Sequence, residues 1–108
     1  MSKAIVSQQT IEEISKKIAE RFHPEKIILF GSYARGDATE NSDLDLLIVS
    51  RTNLPRPKRS APIYSFLREY TFSKDILVYT PEETEEYREL PGALMRRALR
   101  EGIVLYER

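Results

Sequence analysis

Three short apolar runs limit what this chain can fold into: "KIILF" at 26–30, "DLDLLIV" at 43–49 and "DILVY" at 75–79. Each is short and largely β-branched or leucine, so each predicts a buried strand rather than a helix. The first closes on Gly31, and the other two begin with an acid. A fourth, shorter strand is expected over 103–106, at a sheet edge.

Helical patterns fill the spaces between these strands. Ile11, Ile14, Ile18 and Phe22 recur at spacings of three and four, with Ala19 on the same stripe, and predict an amphipathic helix over 8–22. Thr10 with Glu13 has the pattern of a capping box, Ser7 is a competing N-cap, and His23-Pro24 ends the helix. Ile63, Phe66, Leu67 and Tyr70 predict a short helix over 61–70. Thr80-Pro81-Glu82-Glu83 has the cap, proline and acids of a helix start. Pro91-Gly92 interrupts, and "ALMRRALREG" predicts a last helix with Leu94, Met95, Ala98 and Leu99 inward and Gly102 at its C-terminal cap. The order α-β-α-β-α-β-α-α-β predicts an α/β chain of the α+β type, a small mixed sheet flanked by helices.

At 108 residues a single domain spanning 1–108 is expected, with a 41% hydrophobic and 31% charged composition suited to a soluble globule. No apolar run approaches a membrane span, no cysteine is present for disulfide or thiolate chemistry, and a cytoplasmic setting is expected. Lys and Arg number 17, as do Asp and Glu, so net charge does not indicate nucleic-acid binding. The charge is uneven along the chain. Arg51, Arg56, Lys58 and Arg59 form a basic loop, read as a solvated connection or a partner contact, and 82–89 is acidic. Arg96, Arg97 and Arg100 are expected on the solvent side of the last helix. Arg35 has two readings, a phosphate or acid contact and a surface pair with Asp37 or Glu40.

Chemistry concentrates between the first two strands. Side chains alternate along a strand, so Asp43 and Asp45 are expected on one face, where their charges repel unless a cation lies between them. A hard divalent ion with oxygen ligands, Mg²⁺, resolves that conflict. Asp75 begins a strand of similar texture, and if the two strands are neighbours the three carboxylates converge. Such a set can bridge two ions about 4 Å apart for phosphoryl displacement. Gly31 and Ser32 follow the first strand, where glycine lets the backbone approach a phosphate and the serine adds a hydroxyl donor.

Gly31-Ser32, ten intervening residues and Asp43-x-Asp45, flanked by "IILF" and "LLIV", resembles the signature of the DNA polymerase β-like nucleotidyltransferase superfamily. "GSYARG", "SDLDLLIV" and the ending "PGALMRRALREGIVLYE" are similar to its minimal nucleotidyltransferase branch, over nearly the whole chain. The resemblance implies a nucleotidyltransferase fold, with Gly31 and Ser32 holding an NTP. It implies that Asp43, Asp45 and Asp75 bind two Mg²⁺ ions, with the third acid taking the acceptor's proton. The implied reaction transfers AMP from ATP, or another nucleoside monophosphate, and releases pyrophosphate. Relatives of this branch work beside a small helical HEPN-domain protein as antitoxins, attaching AMP to a tyrosine of the toxin, and this implies such a partner and acceptor here. Two other readings are a catalytically silent binding module and a small-molecule transferase of the aminoglycoside-modifying kind. The unpaired edge at 103–106 leaves room for a homodimer or a hetero-oligomer.

Overall fold

The computed structural model describes residues 5–90 and 94–108. The expected break at Pro91-Gly92, and Ala93 at the start of the last helical pattern, lie outside them. Helix α1 spans Gln8–Phe22 and packs Ile11, Ile14 and Ile18 inward, as their spacing predicts. Its N-cap is Ser7, whose hydroxyl accepts from the Thr10 amide at 3.1 Å, so the Thr10–Glu13 capping box does not form. His23 ends the helix in the left-handed region (φ 52°), and its amide donates to the Ala19 carbonyl at 3.0 Å. This is one way for a residue before proline to avoid the right-handed helical region.

Four strands follow, β1 (Lys26–Phe30), β2 (Leu44–Val49), β3 (Lys74–Tyr79) and β4 (Ile103–Glu107), in the spatial order β3-β2-β1-β4. β1 is antiparallel to both β2 and β4, whereas β2 and β3 are parallel. Alternation along the central strands divides the core in two. Ile27, Leu29, Leu44, Leu46, Ile48, Ile76 and Val78 face α1 and α4 (Ala61–Phe66). Ile28, Phe30, Leu47 and Val49 face Met95 and Ala98 of α6 (Leu94–Glu101). Burial on both faces explains why β1 and β2 read as unbroken apolar runs.

Two helices depart from the sequence reading in detail. The pattern over 61–70 yields a helix only to Phe66, with Phe66 part-exposed and set edge-on against Phe22 at 5.4 Å. Leu94 is 52% exposed rather than inward. Gly102 follows α6 as its cap reading expects, its amide donating to the Ala98 carbonyl at 2.9 Å, and a Cβ there would overlap that carbonyl and the Ile28 side chain.

The basic loop 51–59 is largely exposed, as a solvated connection would be, but it is also tied to the rest of the chain. It contains the one-turn helix α3 (Arg56–Arg59), and three of its four basic side chains are engaged by α5 (Pro81–Arg88). Arg51 bonds Glu82 at 2.9 Å, Arg56 bonds the Tyr87 hydroxyl at 2.9 Å, and Arg59 pairs with Glu83 at 2.6 Å. No helix among the described residues is long and apolar enough to cross a membrane.

Candidate active site

At one end of the sheet β1 finishes while β2 and β3 begin. The register sets Phe30 opposite Asp45 across the antiparallel pair and Asp45 beside Asp75 across the parallel pair. Both carboxylates therefore stand on the face that α6 covers. The turn after β1 is made by Gly31 at φ 75°, ψ −154°, a conformation that excludes ordinary side chains. A Cβ at Gly31 would overlap Oδ2 of Asp45 and lie 3.1 Å from its Cγ, so the glycine leaves room for that carboxylate. The one-turn helix α2 (Ser32–Arg35) follows and closes on Gly36 in the left-handed region. The first N–H groups of such a turn have no intrahelical acceptor.

These parts enclose a cleft of about 330 Å³. Gly31, Ser32, Ala34 and Arg35 form one wall, Asp45 and Asp75 the floor, and Leu94, Arg97, Ala98 and Glu101 of α6 the opposite wall. Burial, and then the charges of Asp75 and Asp43, push the Asp45 carboxyl up to about 6, with Arg35 opposing the rise. Arg35 borders the cleft and pairs with Asp37 at 3.3 Å, the surface pair that its second reading names.

Asp43 is placed differently from Asp45. It precedes β2 and accepts a hydrogen bond from the Ser73 hydroxyl, and it lines a separate cavity with Tyr33, Asn41 and Phe72. Strand alternation puts Asp43 and Asp45 on one face in principle, but Asp43 lies just outside the strand and its side chain turns to Ser73. Among the described residues no three metal-ligating side chains converge closely enough to hold an ion. The donor set still suits a hard divalent cation. It is all oxygen, and Asp45 carries a charge that burial and two like neighbours disfavour, which a cation would relieve.

Sequence reasoning missed the α6 side of the cleft. Arg97 is exposed, as a solvent-side position predicts, and Leu94 is exposed where the spacing predicts core, and both border the cleft. No local pattern marks them. Only the docking of α6 across β1 brings them there.

The sequence profile of the nucleotidyltransferase domain family matches residues 11–105. MJ0604 of Methanocaldococcus jannaschii, named as a protein adenylyltransferase, is 31% identical over 103 residues, covering 92% of this chain and 97% of the relative. Protein adenylyltransferase MntA of Thermococcus cleftensis is 43% identical over 49 residues, 42% of this chain and 50% of the relative. A crystal structure from Sulfolobus solfataricus, described as of a nucleotidyltransferase, superposes with a TM-score of 0.64 at 25% identity, over 91% of this chain and 78% of that one. A toxin–antitoxin structure with AMP-PNP shares the fold at a TM-score of 0.61 and 23% identity, over 90% and 73% of the two chains. With a profile match over most of its length and a full-length relative above 30% identity, the chain belongs to the nucleotidyltransferase domain family and is a transferase of that kind.

Proposed function

We propose that this protein transfers AMP from ATP to a hydroxyl of a partner protein, as the antitoxin of a toxin–antitoxin pair in the cytoplasm. The observation that carries this reading is the register of Asp45 beside Asp75, on the floor of a cleft whose near wall is Gly31-Ser32. Relatives named as protein adenylyltransferases support the choice of a protein acceptor.

In this reading the Gly31 backbone and the Ser32 hydroxyl hold the triphosphate. Asp45 and Asp75, with Asp43 at the same end of the sheet, would hold two Mg²⁺ ions. Such ions would neutralise charge on the phosphate oxygens and activate the attacking oxygen. The acceptor oxygen forms a bond to the α-phosphorus while the bond from that phosphorus to the α,β-bridging oxygen breaks. The electron pair leaves with pyrophosphate, and the hydroxyl proton passes to a carboxylate of the site, in this reading Asp75. In this reading the partner supplies the acceptor, a tyrosine hydroxyl on a helical HEPN-type toxin.

The test is to incubate the protein with ATP, Mg²⁺ and the product of the adjacent gene, then measure the partner's intact mass. The expected result is a gain of one or more AMP units, lost with Asp45→Asn. A partner of unchanged mass that nonetheless binds tightly would replace this reading with that of a binding module.

A further inference from the structure

The α6 wall contains a charge that the catalytic reading leaves without a task. Of the arginines that lack an ion pair among the described residues, Arg97 alone borders the cleft. Its cleft neighbour Arg35 is engaged by Asp37 at 3.3 Å. Glu101, one turn along α6, lines the same cleft but is not within ion-pair distance of Arg97 and lies 4.0 Å from Arg100. Residues 1–4 and 91–93 contain no acid. The remaining α6 lining, Leu94 and Ala98, is apolar and offers no competing donor.

We propose that Arg97 forms a subsite for the pyrophosphate portion of the nucleotide, reaching from α6 toward the space bounded on the other side by Gly31-Ser32. The inference rests on the nucleotidyltransferase reading above. Asp45 and Asp75 make the floor acidic, so a polyanion needs cationic donors from the walls as well as any bound cation. A guanidinium suits this task because its planar fork pairs with two phosphate oxygens at once. As the bond from the α-phosphorus to the bridging oxygen breaks, negative charge accumulates on the departing pyrophosphate. A guanidinium on the opposite wall from the turn stabilises that charge without occupying the acceptor's approach to the α-phosphorus.

The test is calorimetric titration of the full chain, in Mg²⁺ buffer, with inorganic pyrophosphate, with AMP-PNP and with AMP. Arg97→Ala is expected to weaken pyrophosphate and AMP-PNP binding at least about ten-fold while AMP changes less than about two-fold. Arg97→Lys should recover part of the loss, and Arg96→Ala, next along the helix and outside the cleft, should change nothing. Because Arg97 is exposed, melting temperatures should match the wild type, which separates lost binding from lost folding. Unchanged pyrophosphate affinity in Arg97→Ala, or an equal loss for AMP, overturns the proposal. A wild type that transfers AMP while Arg97→Ala holds pyrophosphate normally removes the Arg97 subsite alone. A wild type that binds none of the three ligands removes the nucleotide reading together with it.

Discussion

At Gly31 two constraints coincide, a backbone conformation with φ of 75° and a carboxylate oxygen in the space a methyl group would need. Gly31→Ala should therefore cost about 1–3 kcal/mol of stability by chemical denaturation and displace Asp45, removing AMP transfer. Asp45 gives a prediction of the opposite sign. Its carboxyl titrates near 6 in the folded protein, above its ordinary value, so the native state binds more protons than the unfolded state between those two values. Stability then falls as pH rises through that window, and the cost is fully present above it. In metal-free buffer at pH 7.5, Asp45→Asn should be more stable than the wild type by about 1 kcal/mol, allowing for solvent screening of a part-exposed group. The advantage should vanish near pH 4, and a variant less stable than the wild type at pH 7.5 would contradict this. Gly31, Ser32, Asp45 and Asp75 were legible because each sits where a strand begins or ends. The turn of Asp43 toward Ser73, thirty residues away, was not, since nothing in a local pattern encodes a partner at that separation.

Among the elements, the two sheet edges are treated differently. On β3 the outward Ile76 amide donates to the Tyr64 hydroxyl at 2.7 Å, and the outward Val78 carbonyl accepts from Arg59 at 3.3 Å. The same Arg59 binds Glu83, which also closes the capping box of α5 with Thr80. On β4, Ile103 and Val104 are about half exposed. Arg59 holds the Glu83 carboxyl down at about 2, with the Thr80 amide assisting. That stabilisation is present above the ordinary carboxylate value and is lost as pH falls from there toward 2. Glu83→Gln should cost about 1–2 kcal/mol at pH 7, with the difference from the wild type shrinking as pH falls below about 4 in urea titrations. A gap that is constant with pH would assign the cost to packing rather than charge. The cap was readable from Thr80 to Glu83, because a capping box is local. The ion pair with Arg59 was not, since it joins residues 24 apart, and the loop read only as a solvated connection or a partner contact.

For the molecule as a whole, the sheet order brings the ends of β1, β2 and β3 together under α6, and the site exists only at that junction. The antiparallel β1–β2 pair and the neighbouring β3 could be anticipated from where their acids and glycine fall. The wall supplied by α6 could not, because amphipathic spacing gives a helix's buried face but not the strand end it overlies. That wall bounds the cleft in which the proposed reaction would hold its nucleotide, and in that proposal a partner supplies the hydroxyl. The central claim is most directly tested by following ATP labelled at the α-phosphate, and separately at the γ-phosphate, with the protein, Mg²⁺ and its partner. The account predicts that α-label becomes covalently attached to the partner while γ-label is released as pyrophosphate, and that Asp45→Asn abolishes both. Attachment of γ-label, or α-label transfer that survives Asp45→Asn, would contradict it.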